Sequence, residues 1–146
     1  MKKHKRNKII KLEIGDSEEI GYPSNYFDAV TVAFGVRNFE NLDKGLSEIR
    51  RVLSPGGDLI ILETAVPQKI PVRQFYQLYT HFIMPFTSWI FSKDKSAYQY
   101  LSNSANRFPF GKAFNNILEK NGFIGVEDIP QTFGVACIYR AQKPTS

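Results

Sequence analysis

The chain has 146 residues, of which 42% are hydrophobic and 23% are charged, and its net charge is +5. This length supports at most one domain over residues 1–146, and no apolar stretch reaches the roughly 20 residues that a transmembrane helix needs. The five basic residues of the leader at positions 1–8 equal the whole charge excess. Such a leader can contact nucleic acid or an anionic membrane, but a solvated terminus is the favoured interpretation.

The cysteine usage and the first residues indicate a cytoplasmic protein. Cys137 is the only cysteine, which excludes an intrachain disulfide. It lies in an alternating apolar run, as expected of a small core residue rather than a nucleophile. The basic start leads into K-I-I-K-L-E-I-G-D, which is too short and too charged for the apolar part of a signal peptide.

The first half of the chain has the pattern of a parallel α/β sheet. In chain order the hydrophobic residues predict a half-buried strand over 9–14, a strand covered on both faces over 27–34, a helix over 42–53 and a buried strand over 59–62. Asn41 is a candidate N-cap for the helix. The run Ser54-Pro55-Gly56-Gly57 is expected to end it and turn the chain back.

The second half changes character. Residues 68–110 are rich in aromatic side chains and predict an α-helical insertion or lid, with a long helix over 72–84. A further helix is expected over 112–120, capped by Asn121-Gly122. Strands are predicted over 123–129 and 132–141, and the short Pro130-Gln131 connection requires an antiparallel hairpin. An α/β sheet that ends in such a hairpin favours the class I methyltransferase sheet over the plain dinucleotide-binding one.

Three loops are candidates for a binding site. Ligands of open α/β sheets bind at the carboxyl ends of the strands. The loops that follow the predicted strands there are 16–17, 33–38 and 63–67. We therefore expect the three loops to converge on one small molecule.

Several sequence runs together resemble the ubiquinone/menaquinone C-methyltransferase family. The runs are G-D-S-E, N-Y-F-D-A-V-T-V-A-F-G-V-R-N-F, R-R-V-L-S-P-G-G-D-L-I-I-L-E, K-D-K-S-A-Y-Q-Y-L and T-F-G-V-A, within residues 9–141. V-L-x-P-G-G is common to many methyltransferases, whereas F-G-V-R-N with S-A-Y-x-Y-L is more specific and favours the menaquinone branch. The resemblance implies the class I fold that uses S-adenosyl-L-methionine, with its N-terminal half and glycine-rich cofactor loop missing.

The resemblance assigns cofactor contacts to three residues. Asp16 and Ser17 match the positions that contact the adenine of S-adenosyl-L-methionine, where a carboxylate can accept from the exocyclic amine. Ala33 matches the strand-end position that faces the methionine part. The alternative for Asp16 is an ordinary turn residue after a strand. The assigned residues include no metal ligand.

Arg37 and Asn38 are the candidate catalytic residues by the same resemblance. C-methylation of a hydroquinone requires a ring hydroxyl to lose its proton, so that the adjacent carbon can attack a methyl group. A guanidinium remains a cation and is unsuited to act as the base, but it can stabilise the developing phenolate, which Asn38 would orient. The alternative for Arg37 is a surface ion pair. His81 is more plausible as a packed core residue than as the base.

Tyr98 and Tyr100 are the candidate contacts to the polyprenyl hydroquinone substrate. They lie inside the specific S-A-Y-Q-Y-L run of the aromatic segment. The alternative is that these aromatic residues form the ordinary core of a helical layer.

Two functions remain open at this stage. The resemblance implies methylation of demethylmenaquinol, with peripheral contact to the inner membrane face. The alternative is a catalytically inactive fragment or interaction module that lacks the glycine-rich loop. Nucleic acid is not expected as a partner because no groove-reading motif accompanies the basic leader. The resemblance also implies that the missing N-terminal half contains a strand from the middle of the sheet. Its absence would expose an apolar sheet edge, which predicts a homodimer or a swapped assembly.

Overall fold

The computed structural model describes residues 10–67, 70–78 and 108–146. In these residues the α-helices are α1 (Leu42–Val52), α2 (Val72–Leu78) and α3 (Lys112–Lys120). The strands are β1 (Phe27–Ala33), β2 (Leu53–Thr64), β3 (Ile124–Gln131) and β4 (Ala136–Gln142). Two short 3₁₀ turns, Val36–Asn38 and Thr132–Gly134, follow β1 and β3.

The strands form one mixed sheet in the order β1-β2-β4-β3. β1 is parallel to β2, and β4 is antiparallel to both β2 and β3. The predicted hairpin is therefore confirmed, but its connection is not Pro130-Gln131. These two residues belong to β3 and pair with Cys137 and Ala136. β3 lies at the edge of the sheet, where a proline without an N–H is tolerated.

The core lies between one face of the sheet and the helices α1 and α3. It includes the buried side chains Leu46, Ile49, Leu59, Ile61, Phe108, Phe114, Leu118, Phe123, Cys137 and Tyr139. The interpretation of Cys137 as a small core residue is confirmed, and burial raises the pKa of its thiol. The Tyr139 hydroxyl accepts a hydrogen bond from the Gly111 N–H at 2.9 Å, which joins β4 to the start of α3.

Helix α1 forms where the hydrophobic spacing predicts it. The Asn41 side chain accepts from the Lys44 N–H at 3.0 Å, so the predicted N-cap is confirmed. The helix ends at Val52 and β2 starts at once, which makes this strand longer than the predicted 59–62. Gly57 is required in β2 because a Cβ there would lie 2.9 Å from the carbonyl oxygens of Asp28 and Ser54.

Two predictions for the N-terminal part are wrong. Residues 10–14 form no strand, and Leu12 is 92% exposed. A strand needs a neighbour for its hydrogen bonds, and no described segment pairs with these residues. β1 is also not covered on both faces: Ala29 and Thr31 are exposed, and among the described strands β1 pairs only with β2.

The remaining predictions concern the middle of the chain and the leader. The helix over 112–120 is confirmed, with Asn121 as its C-cap and Gly122 at a φ of +81°. Of the predicted helix 72–84, residues 72–78 are helical. The leader 1–8 and most of the segment 68–110 lie outside the described residues. In the part of the chain that the structure describes, no helix has the length and apolar character needed to cross a bilayer.

Candidate functional site

A buried ion pair joins the carboxyl ends of β1 and β2. Because the two strands are parallel and adjacent, the turn after β1 lies beside the end of β2. The Arg37 Nη1 donates to Glu63 Oε1, and the Arg37 backbone N–H lies 3.5 Å from Glu63 Oε2. The Arg37 side chain is 8% exposed and the Glu63 side chain is fully buried. The pair is therefore not the surface ion pair of the alternative interpretation.

The Glu63 carboxylate is held from a second side. It accepts from the Thr64 N–H at 2.8 Å and from the Thr64 hydroxyl at 3.3 Å. Charge-assisted hydrogen bonds of this kind restrict the orientation of a carboxylate. Glu63 therefore fixes the direction in which the Arg37 guanidinium points.

Part of the Arg37 guanidinium is left without an acceptor. Within the described residues, its buried Nε makes no hydrogen bond, and no hydrogen bond is found for Nη2. A buried N–H without a partner costs about 1–3 kcal/mol, so such groups are rare in a folded protein. The Phe34 ring lies 6.0 Å from Arg37 Cζ and flanks the guanidinium. This arrangement leaves a buried cation with donors suited to an anionic or carbonyl oxygen.

Asn38 and Ala33 lie on either side of Phe34, a strained residue that directly follows β1. Phe34 has a φ of 52°, which is costly for an aromatic residue, and its N–H donates to Leu62 O at 2.8 Å. The exposed Asn38 side chain donates to Phe34 O at 3.5 Å. Ala33 is exposed and pairs with Leu62 in the sheet. Both residues therefore lie, like Arg37, at the carboxyl end of β1.

Asp16 and Ser17 form a tight turn beside an open depression of about 710 Å³. The Asp16 Oδ1 accepts from the Glu18 N–H at 2.8 Å. Asp16 is exposed, and its Oδ2 makes no hydrogen bond or ion pair within the described residues. Ser17 is half-buried and lines the same depression.

Helix α1 holds this turn in place. The Asn41 N–H, at the start of the helix, donates to Glu18 Oε1 at 2.7 Å. One turn from its end, Glu48 Oε2 accepts from the Ile20 N–H at 2.9 Å. Arg51 donates to both Glu48 and the Ile20 carbonyl, and its hydrogen bond lowers the pKa of the Glu48 carboxyl. We call the ion pair between Glu48 and Arg51, together with its hydrogen bonds to Ile20, the Glu48–Arg51 clamp.

The expected convergence of three loops is confirmed in part. Loops 33–38 and 63–67 meet through the Arg37–Glu63 pair. The turn at 16–17 is joined to the start of α1 by the Asn41–Glu18 hydrogen bond. Within the described residues, no hydrogen bond joins it directly to the Arg37–Glu63 pair. Tyr98, Tyr100 and His81 lie outside the described residues.

Glu63 is the residue whose role the sequence interpretation missed. It was expected at the start of candidate loop 63–67, but its ion pair with Arg37 was not predicted. A signal for it exists in the sequence, because opposite charges follow two strands predicted to be adjacent and parallel.

The chain matches a protein family and several named relatives. The family model of the ubiE/COQ5 methyltransferase family matches residues 1–143. A demethylmenaquinone methyltransferase from Bacteroides fragilis is 44% identical over 88% of this chain and 52% of its own length. One from Bacillus cereus is 41% identical over 95% of this chain and 59% of its own length. The chain thus spans about half the length of these relatives.

Solved structures show the same fold. A SAM-dependent methyltransferase from Aquifex aeolicus matches 92% of this chain and 55% of its own with a TM-score of 0.60 at 16% identity. One from Thermotoga maritima matches 88% and 62% with a TM-score of 0.55 at 17% identity. The predicted class I methyltransferase sheet is confirmed.

Proposed function

The chain belongs to the ubiE/COQ5 methyltransferase family, and we propose that it provides the substrate-binding part of a C-methyltransferase that methylates demethylmenaquinol. Two observations support this proposal. The relatives at 41% and 44% identity are named demethylmenaquinone methyltransferases. The observation that carries the proposal is the buried Arg37 guanidinium, which Glu63 orients while its Nε has no hydrogen-bond partner within the described residues.

The described residues fit the adenine side of S-adenosyl-L-methionine. When bound, this cofactor supplies an electrophilic methyl group. The exposed Asp16 Oδ2 can accept from the exocyclic amine of the adenine, and Ser17 lines the same depression. Ala33 is exposed at the end of β1, where its small side chain leaves room for the cofactor's methionine part. The 146 residues contain no Gly-x-Gly-x-Gly run, so the contacts proposed for this chain are those of Asp16, Ser17 and Ala33.

Arg37 would act on the oxygen of the substrate. A hydroquinone becomes nucleophilic at ring carbon when the neighbouring hydroxyl loses its proton to solvent water, and the ring carbon that gains the methyl group then releases its own proton to water. The Arg37 Nε and Nη2 would donate to that oxygen and stabilise its negative charge. The low dielectric of a buried site strengthens this electrostatic interaction. Asn38, at the exposed end of the same turn, would hydrogen-bond the ring substituent and orient it. Glu63 is a positioning residue in this scheme.

Assembly and location follow from the substrate and from β1. A polyprenyl hydroquinone resides in a bilayer, so we propose that the protein is cytoplasmic and contacts the inner membrane face peripherally. In a polypeptide of these 146 residues, the unpaired edge of β1 would recruit a strand from a second copy, giving a homodimer or a swapped assembly. Sedimentation velocity would show a dimer, and a stable monomer at high concentration would contradict this part of the proposal.

One observation favours the second candidate, an interaction module without catalytic activity. Ile10, Leu12 and Ile14 are strongly exposed, and the described residues also leave one edge of β1 unpaired. Several large apolar side chains exposed within one short segment can form part of an interaction surface. Under this alternative the Arg37–Glu63 pair would serve only to join two strands.

Calorimetric titration with S-adenosylhomocysteine separates the two candidates. Methyltransferase function predicts micromolar binding that Asp16→Ala weakens, followed by methyl transfer to a demethylmenaquinol analogue. Arg37→Lys should then lower kcat by about 10²-fold, because an ammonium cannot present two donors in the same plane, and leave cofactor binding unchanged. The absence of binding at millimolar ligand would contradict the methyltransferase proposal and support the interaction module.

A further inference from the structure

A cavity of about 340 Å³ lies beyond the carboxyl end of β2 and is not used by the site described above. Its walls come from the residues after β2, the start of α2, the loop before α3 and the tip of the β3–β4 hairpin. The side chains that matter here are those of Ala65, Val72, Phe110, Pro130, Phe133 and Cys137. We call this cavity the tail pocket. Its volume is within the range of ligand sites.

The tail pocket is almost free of charge. Among the described residues that line it, only Asp128 is charged. The Asp128 Oδ1 already accepts from the Asn115 side chain at 2.6 Å. A polar metabolite would therefore find few hydrogen-bond partners in this cavity. A hydrocarbon chain has no polar groups that would lose their hydrogen bonds on burial there.

The sheet places the tail pocket next to the Arg37–Glu63 pair. Cys137 lies directly opposite Glu63 in the β2–β4 register, and Ala65 is two residues after Glu63. Paired residues and residues two apart share a face of a sheet, and directly opposed Cβ atoms lie about 4.5–5.5 Å apart. The Ala65 N–H donates to Val135 O at 2.9 Å, which extends the pairing up to the hairpin tip. The pocket thus begins one strand away from the carboxylate that holds Arg37.

The hairpin tip presents a strained aromatic residue to solvent. Thr132 and Phe133 have φ values of 48° and 58°, which residues with a Cβ adopt at a cost. Phe133 is nevertheless 85% exposed, so its ring gains little burial in return. Phe133 also lines the tail pocket. An apolar ligand in the pocket would cover this ring.

We propose that the tail pocket binds the isoprenoid tail of the quinol whose ring lies at Arg37. This inference rests on the proposed function, because it takes the polyprenyl hydroquinone as the substrate. The apolar lining, the position one strand from Glu63 and the exposed Phe133 each point to a hydrocarbon chain that leaves the ring toward the hairpin.

The test uses a probe that carries the tail without the quinone. A farnesol derivative with a diazirine group is titrated against the full chain and then crosslinked by light. Val72→Trp fills the tail pocket from α2. Phe133→Gly removes the ring and suits the positive φ, so the fold should not be destabilised. Phe75→Ala is the matched control, because Phe75 is an exposed aromatic residue of α2 that does not line the pocket.

We expect both pocket variants to weaken farnesol binding by about tenfold or more, since each removes apolar contact area, while the control binds as the wild type does. Crosslinks should map to residues 64–67, 70–73 and 128–137. Equal binding by all variants, or crosslinks elsewhere, would overturn the proposal.

Methyl transfer separates this inference from the proposed function. If farnesol binds as expected but no quinol is methylated, the proposed function fails and the tail pocket is upheld. If tailed and tailless quinols are methylated with the same KM, the function is upheld and the tail pocket is overturned. Phe133→Gly should raise KM for the tailed quinol alone.

Discussion

Residues 10–14 and the strand β2 contain similar alternating apolar patterns but adopt different structures. Residues 10–14 alternate apolar and charged side chains, yet they form no strand and their apolar side chains are exposed. Residues 59–63 also place alternate side chains on one face, and those of Leu59, Ile61 and Glu63 are buried. β2 has strand neighbours on both sides, whereas residues 10–14 have none among the described strands. An alternating pattern therefore gives a stable strand only when neighbouring strands satisfy its backbone.

Of the substitutions considered, replacing the buried Glu63 of β2 should lower the free energy of unfolding most. Glu63→Ala leaves the Arg37 charge buried without its partner and should lower the free energy of unfolding by about 3–5 kcal/mol. Asp58→Ala is a matched control on the same strand, since Asp58 pairs with Arg140 at 3.4 Å but is partly exposed. Its loss should cost no more than about 1 kcal/mol. Urea denaturation measures both, and equal losses would show that burial of the Arg37–Glu63 pair is not decisive.

The contrast between the two regions can be tested with one substitution in each. Leu59→Ala creates a cavity in the core and should lower the free energy of unfolding by about 2–5 kcal/mol. Leu12→Ala, at an exposed position, should change it by no more than about 0.5 kcal/mol. Thermal or urea unfolding gives both values. A large loss for Leu12→Ala would mean that residues 10–14 pack in solution.

The cap of α1 should contribute less. Asn41→Ala removes the acceptor for the Lys44 N–H and should cost about 1 kcal/mol, while Asn41→Ser keeps an acceptor and should cost less. The same urea titration distinguishes the two variants. Equal stability of Asn41→Ala and the wild type would contradict the role of the cap.

Local chemistry predicted most of the fold but not the pairing of charges. The cap at Asn41, the helix over 112–120 and the antiparallel hairpin depend on nearby residues, and these predictions are confirmed. The strand over 9–14 was wrong because its formation depends on a partner strand. The burial of Arg37 was missed because it depends on which residue lies at the end of the adjacent strand. The roles of Asp16, Ser17, Ala33, Arg37 and Asn38 toward ligands stay predictions.

The smallest expected effect concerns the Glu48–Arg51 clamp. Its hydrogen bonds lower the Glu48 pKa below the ordinary 4.5. The stability it contributes is therefore present above the unfolded-state pKa and is lost as the pH falls through the lowered folded-state pKa. The Ile20 amide, which donates to Glu48, should show this titration in nitrogen-15 NMR spectra below pH 4.5. Glu48→Gln should abolish the transition, and persistence of the transition would assign it to another group.

The central claim is that Glu63 holds Arg37 ready for a substrate oxygen. Nitrogen-15 NMR of the Arg37 side chain tests it directly, because Arg37 Nε is buried and has no acceptor in the described structure. Addition of a tailless demethylmenaquinol analogue should shift the Arg37 Nε–H resonance, and Glu63→Gln should weaken that response. An unchanged Arg37 resonance at saturating analogue, with shifts elsewhere in the protein, would contradict the account.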